Sequence, residues 1–292
     1  MSDRKWNLLA NVKGDVRYPL TNDYLFRAVL QKNPKALEGL VCALLYLKAE
    51  EIKTIEIMNP IILGERMDAK TFVLDIRILL NSNTVLNIEM QVTDDRNWTE
   101  RSMVYLCRAF DQAPKGGAYS NIRPAIHISI LNFTLFKEYP EFYAKYQMLN
   151  MKNHHVYSDK FKLHILDLTQ AENASQKDRE TGLYHWAKFI KARTWEEIKM
   201  LAEKNNSILE AAVTMYDVSA EENIRLQCEA RRRYEEDRST LLASGRSQGR
   251  EEATARYAAL TKILLAEKNY AELEKAADDA QYREALFRKY QL

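Results

Sequence analysis

Apolar residues recur at helical spacing soon after Pro19: Leu25, Phe26, Val29 and Leu30, then Leu37, Leu40, Val41, Leu44 and Leu45. Positions three and four apart share one helix face, so the pattern predicts amphipathic helix. Thr21 or Asn22 can cap it. Asn33-Pro34 interrupts it, since Asn caps and Pro suits a first helical position. Two consecutive helices or one kinked helix are predicted over residues 22–48. The period then changes. Residues 52–63 are rich in β-branched side chains and end at Gly64, residues 71–80 (TFVLDIRILL) are dense in strand formers, and Asn81-Ser82-Asn83 is a turn signal. Residues 85–93 alternate, with Leu86, Ile88, Met90 and Val92 on one face and Asn87, Glu89 and Gln91 on the other. Two strands joined by a short polar turn form an antiparallel hairpin.

A further helix is predicted from a cap near Thr99, with Met103, Leu106, Cys107 and Phe110 buried and Arg101, Tyr105 and Arg108 on a different, exposed face. Gly116-Gly117 marks its exit. PAIHISIL, residues 124–131, is a short strand covered on both sides, and FKLHILDL, residues 161–168, is another. Beyond residue 171 the strand signal ends. Thr194/Glu197, Ser207/Glu210 and Ser219/Glu222 have the spacing of capping boxes, each a helix start. The expected organisation is a mixed α/β core over 1–170 and an all-helical region over 171–292.

The 292 residues suffice for a sizeable core, and 46% are hydrophobic. With 43 basic and 41 acidic residues the net charge is +2, so any basic surface is local. The mean hydropathy of −0.45 fits a protein with no membrane span. Cys42, Cys107 and Cys228 are scattered and read as reduced core thiols, and the first twenty residues lack the apolar run of a signal peptide. A cytoplasmic setting is expected.

Candidate chemistry sits in the hairpin. Asp75 lies within an apolar strand, and Glu89 and Gln91 are side by side on the next one. An antiparallel pairing brings Asp75 beside them. Two neighbouring carboxylates repel, and a divalent cation resolves the conflict. Hard oxygen donors favour Mg²⁺ or Mn²⁺, with Ca²⁺ a further oxygen-seeking ion. The backbone carbonyl of Met90 is placed to complete the set. Such an ion would polarise a phosphodiester and acidify a water. The spacing of D-(13 residues)-E-x-Q is weak by itself, and a lone strand acid more often faces solvent. Asp68 and Lys70 precede the catalytic strand and offer a DNA contact, against the alternative of a solvated turn. His127, in an apolar strand, reads as a hydrogen-bonded core residue, and Arg231-Arg232-Arg233, followed at once by acids, as a solvated helix face.

TNDYLFRAVL, NPIIL, VLDIR, NIEMQV, RSMVYLCRAF and GGAYSNIRPAIHISILNF, in that order over about residues 20–135, resemble the recombination-promoting nuclease (Rpn) and transposase family of PD-(D/E)XK enzymes. The polar tail with GRSQGRE is also similar. The resemblance implies a restriction-endonuclease-like αβββαβ core with a mixed central sheet. It places Asp75 and Glu89 at the two motif acids, and Gln91 where the wider superfamily has lysine. Gln91 carries no charge, so it would orient water or substrate. Asp23 matches a recurrent family acid, read either as an extra metal ligand or as a favourable charge at a helix N-terminus. Arg101 and Tyr105 look like the family's phosphate-contacting pair, with a surface ion pair to Glu100 or a neighbour as the alternative for Arg101.

The expected activity is metal-dependent hydrolysis of DNA by an endonuclease linked to recombination, mobile elements or phage defence. The competing reading is a catalytically silent DNA-binding or assembly protein that retains the fold. Apolar stripes on the C-terminal helices suit a homodimer, and the reading leaves room for a small inhibitory partner protein.

Overall fold

The computed structural model describes residues 2–58, 61–62, 72–73, 75–94, 96–111 and 118–292. Lys70, Asp68, Gly64 and Gly116-Gly117 lie outside the described residues. In chain order the elements are α1 (Ser2–Ala10), α2 (Asp23–Lys32), α3 (Pro34–Leu45), β1 (Ile55–Ile57), β2 (Ile61–Ile62), β3 (Phe72–Val73), β4 (Ile76–Leu80), β5 (Thr84–Gln91), α4 (Trp98–Phe110), β6 (Ala125–Leu131), β7 (Tyr143–Leu149) and β8 (Val156–Asp167). Helices follow: α5 (Gln176–Glu180), α6 (Leu183–Lys191), α7 (Trp195–Ala202), α8 (Asn206–Ala220), α9 (Glu222–Ala266), α10 (Tyr270–Asp278) and α11 (Ala280–Lys289).

The expected kinked segment is two helices, and Asn33 makes the break. Its N–H closes α2 on the Val29 carbonyl, while its side chain accepts from the Lys35 and Ala36 N–H groups to open α3. One residue thus serves both ends, and Pro34 at the first helical position loses no helical bond.

Six strands form a mixed sheet in the order β1-β4-β5-β6-β8-β7. β4 and β5 pair antiparallel, Ile76 opposite Ile88 and Leu80 opposite Thr84. At their turn Asn81 and Ser82 take φ of 51° and 55°, which matches the twist of a tight hairpin. β5, β6 and β8 run parallel. Helix, three strands, helix and strand therefore recur as a restriction-endonuclease-like αβββαβ core, extended by β8 and β7. β7 escapes the sequence pattern because it is an edge strand whose residues are mostly exposed. α1, also absent from the pattern, buries Leu9 in the core and packs Trp6 against it.

One sheet face, with Ile76, Ile78, Leu86, Ile88, Met90, Ile126, Ile128 and Ile130, packs against α2, α3, α6 and α8 in a single core. Leu183, Trp186, Phe189, Ile208 and Leu209 belong to that core, so residues just beyond 171 complete the domain. Two compact units result, residues 1–235 and 236–292. The second has its own small core of Leu260, Leu264, Ala276, Leu286 and Phe287.

Three local expectations change. The Thr194/Glu197 capping box forms, but α8 is capped by Asn205, whose carboxamide accepts from Ser207 and Ile208 N–H, and Ser219 lies inside α8. Asn205 comes first after the break and meets the free N–H groups before Ser207 can. Asp75 is not mid-strand: the chain bends there, just before β4. Finally, α4 buries Trp98, Ser102, Tyr105, Leu106 and Ala109, while Met103 and Cys107 are exposed. The sheet face under α4 mixes polar Asn87, Glu89, Gln91, His127 and Ser129 with apolar Val85 and Ala125, so the helix turns Ser102 and Tyr105 inward together with Leu106 and leaves apolar Met103 outside.

Candidate active site

The site is built at the end of β5. Because β4 starts at Ile76, opposite Ile88, the last β5 residues have no β4 partner. Asp75 fills that place with its side chain: the Met90 N–H donates to Asp75 Oδ2 at 2.8 Å. A strand residue turns its N–H and C=O to the same side. The Met90 carbonyl therefore faces the Asp75 side. In return the Asp75 N–H donates to Glu89 Oε2 at 3.4 Å. These reciprocal bonds lock the two acids together across the hairpin.

Glu89 is held away from water at only 3% exposure, and Asp75 is half-buried. Burial first, then the charge of Asp23, pushes Asp75 up to about 7, although Arg27 and Arg231 pull the other way. Burial and then the Asp75 charge raise Glu89 well above the carboxylate range, against the pull of Arg101. Such shifts mark carboxylates lacking enough positive charge nearby.

Arg101 is the nearest compensating group. Its Nη2 donates to Glu89 Oε1 at 3.3 Å and its Nη1 to Gln91 Oε1 at 3.4 Å. Its Nε donates to the Tyr105 hydroxyl at 2.8 Å, and the guanidinium lies 5.1 Å from the Trp98 ring centroid and 5.2 Å from that of Tyr105. Trp98 is fixed in turn by donating to Ser129 Oγ at 3.1 Å. Arg101 and Tyr105 therefore line the acids, not an outer surface. The alternative partner Glu100 instead accepts from Thr99.

Gln91, 3% exposed, donates through Nε2 to the Thr93 carbonyl at 2.9 Å, leaving Oε1 turned to Arg101. His127 is fully buried beneath α4, with Nδ1 2.7 Å from Asn87 Nδ2, which fits the core reading.

Asp23 opens α2. It accepts from the Tyr24 N–H at 2.8 Å, and its carboxylate is chelated by Arg231, Nε at 2.7 Å and Nη2 at 2.6 Å. The expectation of a solvated arginine run thus fails for Arg231: it turns inward from α9, while Arg232 and Arg233 pair with Glu229. Charge alternation in the sequence marks the run but not which member faces the core. Among the described residues no group of three or more His, Cys, Asp or Glu side chains is placed to hold a metal ion. Asp75, Glu89 and the Met90 carbonyl are nonetheless a hard oxygen set short of positive charge, which fits a divalent cation.

No helix among the described residues is long and apolar enough to cross a membrane. No curated protein and no solved structure matches the chain. A family model described as PD-(D/E)XK nuclease family transposase matches residues 20–245, which include the hairpin, α4 and the first half of α9. The αβββαβ core, its two acids at the end of the hairpin and this match over most of the chain agree: the protein belongs to the PD-(D/E)XK nuclease family of transposases.

Proposed function

We propose that the protein is a divalent-metal-dependent DNA endonuclease whose catalytic residues are Asp75, Glu89 and Gln91. The observation that carries this reading is the reciprocal bonding of Asp75 and the Glu89–Met90 segment, two charge-starved carboxylates beside one arginine. Asp75, Glu89 and the Met90 carbonyl would hold the ion, Mg²⁺ or, in its place, Mn²⁺. When bound, the ion supplies Lewis acidity toward a phosphodiester oxygen and lowers the pKa of a water.

The chain's own residues do the rest. Arg101, kept in plane by Trp98 and Tyr105, presents a guanidinium to a phosphate, a geometry suited to bidentate contact. With an ion held at Glu89, Arg101 would be free to turn from that carboxylate to the phosphate. Gln91, tied at one end to Thr93, offers its Oε1 as an acceptor that orients a water proton. A homodimer in the cytoplasm, with two sites acting on the two strands of a duplex, completes the reading.

Supercoiled plasmid with Mg²⁺ or Mn²⁺ tests it, with Asp75→Asn and Glu89→Gln as comparisons and sedimentation for the dimer. Wild type should nick and linearise the plasmid, and each variant should lose at least about 100-fold in rate, the scale of a lost electrostatic element. Equal cutting by all three would remove the nuclease assignment and leave a DNA-binding protein with this fold.

A further inference from the structure

One turn of α9 ties together two parts of the site that no strand connects. Arg231 chelates Asp23 with Nε and Nη2, at 2.7 and 2.6 Å, and its Nη2 also reaches Glu235 Oε1 at 2.9 Å. Glu235 uses its other oxygen, Oε2, to accept from Thr93 Oγ1 at 2.7 Å. The Thr93 carbonyl in turn accepts from Gln91 Nε2 at 2.9 Å. A continuous chain therefore runs Asp23–Arg231–Glu235–Thr93–Gln91. The preceding turn of α9 is anchored on the segment that leads into α2, because Asn22 Nδ2 donates to the Cys228 carbonyl at 3.0 Å and the Tyr18 hydroxyl to Glu229 at 3.2 Å.

The side chains in this chain are well shielded, Asp23 at 17%, Glu235 at 18% and Arg231 at 31% exposure. Arg231 and Glu235 are an i,i+4 pair, so their spacing is fixed by the helix itself. Glu235 reaches Gln91 through Thr93, and Arg231 holds Asp23 with two prongs as well as with its charge. An ammonium would keep the charge but lose the fork.

We propose that Arg231 and Glu235 are positioning residues of the nuclease site: through Asp23 and Thr93 they fix the α2 acid and the Gln91 amide relative to the Asp75–Glu89 pair. This rests on the nuclease reading above. It gives the C-terminal helical segment a part in catalysis although it contributes no group that touches the reacting phosphate.

The test uses full-length Arg231→Gln, Arg231→Lys and Glu235→Gln, with Arg233→Gln as a control on the outer side of the same helix and Asp75→Asn alongside. Plasmid cleavage in Mg²⁺ gives kcat and KM, thermal melting gives the fold, and the Gln91 side-chain amide resonances of the metal-free protein, identified by their loss in Gln91→Leu, report the linkage directly. Arg231→Gln should lower kcat about tenfold or more with KM within about twofold and little change in Tm. Arg231→Lys should recover part of that loss, Glu235→Gln should shift or broaden the Gln91 amide signals, and Arg233→Gln should match wild type. Wild-type kcat in Arg231→Gln together with unmoved Gln91 signals in Glu235→Gln would overturn the proposal. So would an Arg231→Gln enzyme faster than wild type, or a loss that only follows Tm and is not recovered by lysine. If Asp75→Asn also cuts like wild type, the nuclease reading itself has failed, and the amide signals still report whether α9 holds Gln91.

Discussion

Arg101 Nη2 stands 3.3 Å from Glu89 Oε1, a partly exposed guanidinium over an acid that is 3% exposed. The pair joins α4 to β5, and it places a partly exposed positive charge over a buried negative one. Removing the arginine leaves a buried acid without its main counter-charge.

Arg101→Gln should therefore act on both stability and DNA. We expect the metal-free protein to lose about 1–3 kcal/mol, the usual scale for unpairing a buried polar group. Denaturant melts with and without Mn²⁺ check this, because a cation at Glu89 should recover the loss. DNA affinity should fall, and its dependence on log salt should become shallower by about one charge.

Asp75→Asn should stabilise the metal-free protein at pH 8. The folded pKa of Asp75, about 7, lies above its ordinary carboxylate value, because burial and the Asp23 charge oppose ionisation. The folded state thus binds the proton more tightly than the unfolded chain. Its contribution to stability is present at low pH and is lost as pH rises through about 7. Melting temperatures of wild type and variant should converge near pH 4 and separate by several degrees at pH 8, the variant being higher.

The acid limb of stability should depend on His127. Burial, helped by Arg101, lowers its pKa to about 3, so between its ordinary value near 6.5 and about 3 the unfolded chain takes up a proton that the folded protein refuses. Stability falls as pH drops through that window. His127→Gln should flatten the fall between pH 6.5 and 4 in urea melts. Part of the slope should remain, since burial lowers His164 to about 3 as well. A variant whose slope equals that of wild type would show that His127 does not titrate in this way.

Gly39→Ala should weaken the packing of α3 on α8. A Cβ at residue 39 would collide with the Ser207 side chain, both its Cβ and Oγ. Overpacking of this kind costs about 1–3 kcal/mol. Ser207→Gly in the same chain should restore most of it, which denaturant titration of the single and double variants would read.

Much of this architecture is written in local sequence. The change of period from helix to strand after residue 48, the Asn-Pro break at Asn33-Pro34 and the polar turn Asn81-Ser82-Asn83 specify α2, α3 and the β4–β5 hairpin, because each depends on neighbours within a few residues. The alternation along NIEMQ put Glu89 and Gln91 on one face, and the hairpin brought Asp75 to them. Where local pattern ran against the fold, the reason was the partner surface. Apolar spacing does not mark the inner face of α4, because the strands beneath it carry Asn87, Glu89, Gln91, His127 and Ser129 among apolar residues.

Local pattern along the chain specifies the order of elements and the pairing of two acids across one hairpin, since period and turn chemistry are short-range properties. Packing between elements sets Asp75 at the free end of β5, turns Arg101 and Tyr105 toward the acids, and closes Arg231, more than 200 residues along the chain from Asp23, on its carboxylate. Those contacts join residues from different elements, and a charge pattern along one helix cannot say which of three consecutive arginines will meet the half-buried Asp23 until the helices have packed.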